Sequence, residues 1–181
     1  MSSVIISGDT SGAITLSAPA VAGTNTITLP AATGTVMVSG NQPAFKASGA
    51  GGQSISSNTN TKVVLSVSQF DTASCFNTST YRYTPNVAGY YFFTGCVSIA
   101  NGSYTLFASI LKNGSSICSS TGLGAAAMYP IALTSTLVYM NGSTDYVELY
   151  VQTNSGSATT IATQLVLYDA LYLTGYLARA A

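Results

Sequence analysis

The residues from Tyr90 to Ile99 are apolar on both parities: Tyr91, Phe93, Val97 and Ile99 alternate with Tyr90, Phe92 and Cys96. Successive side chains of a strand point to opposite sides of the sheet, so a strand with one wet face alternates apolar and polar residues. This stretch does not alternate, and both of its faces need a cover. In a chain of 181 residues one cover is a second sheet of the same domain, and the other is a partner subunit. The expectation is a sandwich that is complete only as an oligomer.

The charge content agrees with that expectation. Only 6% of residues are charged, against roughly 25% in an ordinary soluble domain. Ser and Thr, roughly a quarter of the chain, take over the polar role. Lys46, Lys62, Arg82, Lys112 and Arg179 balance Asp9, Asp71, Asp145, Glu148 and Asp169. No basic patch exists to neutralise phosphates, so nucleic acid is not an expected partner. So weakly charged a monomer has little to keep it in solution, and burial in an assembly removes the difficulty.

The first residues, Met1-Ser2-Ser3-Val4-Ile5-Ile6, lack the basic and long apolar regions of a signal peptide. No apolar run reaches the ~18 residues of a membrane-spanning helix. Cytosolic synthesis without a membrane partner is the expectation. Cys75, Cys96 and Cys118 are odd in number and widely spaced, which suits buried thiols better than a disulfide framework.

Residues 1–42 read as an arm distinct from residues 43–181. The arm is poor in aromatics, and Ala13-Ile14-Thr15-Leu16-Ser17 is echoed by Thr26-Ile27-Thr28-Leu29-Pro30 and then by Thr35-Val36-Met37-Val38. Each piece is a short alternating strand bounded by Gly or Pro. Two or three such strands make no core alone, so the arm is expected to pair with another chain. It does so by adding strands to a sheet edge or by intertwining with its own copies. Its anchoring residues are then Ile14, Leu16, Ile27, Leu29, Val36 and Val38.

From residue 43 the pattern is all-β, with strands expected at 44–47, 62–69, 81–84, 90–99, 104–112, 131–140, 145–152 and 160–177, the last divisible in two. Asn101-Gly102, Asn113-Gly114 and Asn141-Gly142 are tight-hairpin dipeptides, because both residue types tolerate positive φ. Turn chemistry also accounts for the formal glycosylation sequons at these triplets and at Asn77-Thr78-Ser79. Many short strands with regular turns indicate a jelly-roll β-sandwich.

Catalytic chemistry has little to work with. The chain has no His, so His-activated nucleophiles and His metal sites are excluded. The carboxylates are scattered and show no Asp-x-Asp spacing for calcium or magnesium. Gly122-Leu123-Gly124-Ala125-Ala126-Ala127 mimics part of a dinucleotide fingerprint without its strand-turn-helix context, and reads as a loop. No catalytic residue, metal or cofactor is expected.

One succession of motifs is more specific: Pro43-Ala44-Phe45, Phe70-Asp71, Phe76-Asn77, Tyr81-Arg82-Tyr83-Thr84-Pro85, Gly89-Tyr90-Tyr91-Phe92-Phe93, Leu111-Lys112-Asn113-Gly114, Leu137–Val147 and Thr174-Gly175-Tyr176. Over about residues 43–178 it resembles the globular head of complement-type proteins, the trimeric jelly roll related to tumour necrosis factor. The interval from Phe70 to Asn77 is a residue longer than the family pattern, and the collagen-like stalk of animal members is missing. The N-terminal stretch is similar to segments of tailed-bacteriophage structural proteins, cyanophage ones among them.

The resemblance implies a homotrimer. Tyr91 and Phe93 match the family's core positions, which leaves Tyr90, Phe92 and Cys96 for the threefold interface. Leu165-Val166-Leu167-Tyr168 and Tyr172-Leu173 read as similarly two-sided. Tyr146, Glu148 and Tyr150 share one parity of a strand that would border the axis, opposite Val147, Leu149 and Val151. Glu148 has two readings there: three copies converging on the axis, or a carboxylate that is exposed or paired with a Lys. The expected function is a non-enzymatic virion protein made in the host cytoplasm, a capsid decoration (cement) protein whose partners are its own copies and the major capsid protein or another virion protein. The alternative is a short tail fibre or receptor-binding tip that recognises host surface glycan.

Overall fold

A computed structural model describes all residues except 1–2, 22, 27–30, 32–37, 39, 41, 101, 126–127 and 164–169. The chain divides into two compact units, Met1–Gly34 and Thr35–Ala181.

In the first unit, β1 (Ser3–Ser7) pairs antiparallel with β2 (Ala13–Ser17). The Ala13–Ser17 strand is the one expected, but Ser3–Ser7 was not anticipated as its partner. The expected strands at 26–29 and 35–38 fall largely outside the described residues, so Ile27, Leu29 and Val36 receive no placement. Val38 is exposed and outside any strand.

The second unit is a sandwich of two sheets. One has the order β12 (Ile131–Met140), β9 (Gly89–Ser98), β15 (Tyr172–Ala180), β3 (Ala44–Ser48), β6 (Val67–Asp71). The other runs β11 (Ser115–Leu123), β10 (Thr105–Lys112), β13 (Val147–Thr153), β8 (Arg82–Tyr83), β7 (Phe76–Asn77), with β5 (Thr61–Lys62) also paired to β13. A small accessory pair joins β4 (Ser54–Ile55) to β14 (Thr159–Thr160). All pairings are antiparallel, and the crossovers between the two sheets make this a jelly roll.

The core lies between the sheets, and β9 supplies one parity to it. Tyr91, Phe93 and Val97 are fully buried, with Phe45 from β3 and Tyr83 from the facing sheet. Phe45 and Tyr83 stack at 4.0 Å, and Phe93 meets Tyr83 edge-on at 5.8 Å. Such pairs add ~0.5–1.5 kcal/mol each to their area burial. The Tyr91 hydroxyl donates to the Val87 carbonyl at 2.8 Å, so the ring sits in the core with its polar end satisfied.

Three expectations need correction. The run 62–69 is not one strand: Thr61–Lys62 pairs with β13, and after a crossing that buries Val63 and Leu65, Val67–Asp71 pairs with β3 in the other sheet. Periodicity cannot show that change of sheet, because Val63, Leu65 and Val67 keep one parity straight across it. The nine-residue strand β11 was missed because Ser dominates it. At a sheet edge a polar strand is tolerated, and it discourages further pairing. Gly122-Leu123, read as loop, closes that strand. Of the three Asn-Gly turns, Asn113 (φ 51°) and Gly114 (φ 81°) form the two-residue hairpin between β10 and β11. Asn141 instead accepts hydrogen bonds at its Oδ1 from the amides of Ser143, Thr144 and Asp145, and so organises a longer connection between sheets. Asn101 lies outside the described residues.

Candidate interaction surfaces

The parity of β9 that the core leaves over points outward, and its cross-strand neighbours are largely apolar, apart from Arg179 beside Tyr90 and Ser135 and Thr174 on either side of Thr94. Tyr90 stands opposite Tyr139, and their rings meet edge to face at 5.6 Å. Phe92 stands opposite Leu137 on one side and Tyr176 on the other, with the Phe92 and Tyr176 rings 5.9 Å apart. Cys96 stands opposite Leu133 and Tyr172. Tyr90 is 45% exposed, Leu137 58% and Tyr176 51%. Ile131, Leu133 and Tyr139 are exposed on the same face. A contiguous apolar face of this kind marks an interaction site, because single exposed apolar residues are common but continuous patches are not.

Of the three residues expected at an interface on this strand, Tyr90 is exposed and Phe92 half-buried on the outward face, whereas Cys96 is buried within the chain. Leu133, Leu137, Tyr139 and Tyr176 were not singled out from the sequence. Their signal was available: residues 131–140 are apolar at Ile131, Leu133, Leu137 and Tyr139 as well as at Ala132, Val138 and Met140, the two-sided pattern that marked β9.

Glu148 and Tyr150 share one face of β13, with Tyr146 on the same parity just before it, but that is the outer face of the opposite sheet. Glu148 is 1% exposed. Its Oε1 receives Lys62 Nζ at 2.5 Å and Arg82 Nε at 2.7 Å. The Arg82 guanidinium lies over the Tyr146 ring at 4.0 Å. Hydrogen bonding to Glu148 raises the Arg82 pKa above its ordinary value. The Glu148 carboxylate is thus paired with a Lys and an Arg inside its own chain and presents almost no surface to a sister copy. The six residues expected at one interface belong to two surfaces.

In the N-terminal unit, Val4 opposes Leu16 and Ile6 opposes Ile14. All four share one hairpin face and are 55–65% exposed. Ile14 and Leu16 were expected as anchors, and Val4 and Ile6 lie beside them on the same hairpin face. None of the three cysteines is in a disulfide, and Cys75 and Cys96 are buried and Cys118 half-buried. Burial raises the Cys75 pKa above its ordinary value. Among the described residues no group of three or more His, Cys, Asp or Glu could hold a metal ion, and no helix is long and apolar enough to cross a membrane.

The sandwich has the jelly-roll fold of complement globular heads and tumour necrosis factor-like proteins. No family model matches the chain, and no curated protein matches it in sequence. Among solved structures it is similar to the globular domain of zebrafish complement 1qA protein, at 14% identity and a TM-score of 0.57 over 77% of this chain and 99% of that one. Murine APRIL gives 8% identity and a TM-score of 0.58, covering 75% of this chain and 98% of its own. The PRD1 vertex protein P5 gives 17% identity and a TM-score of 0.53, covering 76% of this chain and 96% of its own.

Proposed function

We propose that the chain is a non-enzymatic virion protein: a homotrimeric jelly-roll knob that decorates a phage capsid and is held there by its N-terminal arm. The observation that carries this reading is the apolar outer face around Tyr90, Phe92, Leu137, Tyr139 and Tyr176. A chain with so few charges needs that face covered, and sister copies supply the cover. The likeness in fold to a protein named as a PRD1 vertex protein favours a virion role. The arm contributes a second apolar surface, the Val4, Ile6, Ile14 and Leu16 face of the hairpin, for contact with the shell.

Deleting residues 1–40 tests the assignment. The truncated chain should remain a folded trimer and no longer bind particles. Retained binding would place the anchor in the knob. Hundreds of copies per particle, and capsids that burst more readily without the protein, are expected of a decoration protein. A few dozen copies at the tail, with purified protein blocking adsorption, would overturn that choice in favour of a fibre tip.

A further inference from the structure

Residues 74–84, which contain β7 and β8, form a concave surface that no part of the assembly reading uses. The hollow measures about 530 Å³, within the ~300–1,000 Å³ usual for a small-ligand site. Cys75 and Phe76 give it an apolar wall, and the Phe76 ring is anchored by stacking on Phe45 at 5.5 Å. Ser74, Asn77, Thr78, Ser79 and Thr84 supply the rest, so hydroxyls and an amide dominate the lining. Among the described residues no charged side chain lines it. The Asp71 carboxylate is spent on the amides of Phe76 at 2.7 Å and Ala73 at 3.3 Å, and lies outside the lining.

Backbone bonds fix this segment, and most of its side-chain hydrogen-bonding groups are left over. Asn77 Oδ1 accepts from the amides of Ser79 at 2.8 Å and Thr80 at 3.0 Å, and the Tyr81 amide donates to the Asn77 carbonyl at 2.7 Å. The Thr84 amide donates to the Cys75 carbonyl at 2.8 Å, which ties the two ends together. The hydroxyls of Ser74, Thr78, Ser79 and Thr84, and Asn77 Nδ2, make no hydrogen bond within the chain among the described residues. Other threonines of the knob close on backbone instead: Thr59 on the Ser57 carbonyl, Thr61 on Thr59 and Thr72 on Ala44. The hollow is thus pre-shaped, uncharged and unsatisfied.

We propose that this hollow binds a neutral sugar, with its hydroxyls on Asn77, Thr78, Ser79 and Thr84 and an apolar face of the ring against Phe76. A sugar hydroxyl both donates and accepts, as Ser and Thr hydroxyls do, so either partner can rotate to suit the other. An ion finds no countercharge in the lining, and a hydrocarbon would strand the hydroxyls without partners. Because the segment is already ordered, little conformational entropy is lost on binding. β7 and β8 belong to the sheet opposite Tyr90, so the site is separate from the face assigned to sister chains. It does not depend on a capsid or a tail location.

The test is calorimetric titration of the 181-residue chain with maltohexaose, mannohexaose and galactohexaose, and with hexagalacturonate as the charged comparison. At least one neutral hexaose should bind with a Kd of about a millimolar or tighter, and hexagalacturonate no more tightly than the best of them. Thr78→Val with Thr84→Val removes two lining hydroxyls at nearly constant shape, and should weaken that binding about five- to hundredfold. Neither hydroxyl bonds within the chain, so Tm should not move. If Tm falls, Ser79→Ala carries the test and should weaken the same sugar at least about twofold. Absence of binding by all three neutral hexaoses at ~10 mM, equal affinity in the deciding variant and the parent, or tighter binding of hexagalacturonate would overturn the proposal.

Discussion

Glu148 and Arg82, 66 positions apart in the chain, meet through a 2.7 Å hydrogen bond that leaves the carboxylate 1% exposed. Strand β13 brings the carboxylate and β8 the guanidinium, and the two strands pair at Val147 and Tyr83. Lys62, from β5 on the same strand, completes the cluster.

Glu148→Gln should therefore destabilise the knob, because Lys62 and Arg82 would be left side by side without their countercharge. Breaking a fully buried pair costs ~3–5 kcal/mol. Both cations keep about a third of their side chains in water, at 30% and 39%, so about 2 kcal/mol is expected. Urea unfolding of the variant measures it, and a loss below about 0.5 kcal/mol would mean the cluster is only a surface pair.

Two glycines should respond differently to alanine. At Gly114 the added Cβ meets open space, but φ is 81°, so strain alone acts and about 1–2 kcal/mol is expected. At Gly175 the added Cβ would stand 2.4 Å from the Phe93 ring, within the aromatic core. Overpacking there should cost about 3 kcal/mol or more. Thermal unfolding of the two variants gives the order, and a milder G175A would show that the Phe93 packing yields easily.

Asp145 predicts a pH dependence. A hydrogen bond from Lys112, 2.8 Å away, with further bonds from Asn113 and the Asn141 amide, holds its carboxyl below the usual carboxylate range. A depressed folded-state pKa means the contribution is present above the ordinary value and is lost as pH falls through the folded one. Stability should thus decline below about pH 4, and Asp145→Asn should be less stable at neutral pH and flatter in that acid range. Chemical denaturation across pH 2–7 checks the difference in slope.

The arm makes a separate prediction. Val4→Asp with Ile6→Asp should abolish particle binding and leave the knob's Tm and oligomeric state unchanged, since Met1–Gly34 is its own compact unit. A pull-down on purified capsids reads the first effect and sedimentation the second. Particle binding that survives both substitutions would remove the hairpin face from the anchor.

What was legible in the sequence follows from how local each signal is. The two-sided run at Tyr90–Ile99 marked strand β9, because a lack of alternation is visible in one dimension. Tyr91 and Phe93 are buried as their match to the family's core positions implies. The pairing of Glu148 with Lys62 and Arg82 was less legible, since it depends on which strands flank β13, and register across sheets is not written in any single segment. The Ser-rich strand β11 gave only a weak apolar signal, Ile117 and Leu123, both of them exposed, and its place is set by its register with β10.

The central claim is that the Tyr90 face is covered by sister chains, and sedimentation equilibrium of the purified 181-residue chain tests it most directly. The account predicts a single species at three times the 18.5 kDa chain mass, stable on dilution. A soluble, stable species at one chain mass would contradict it.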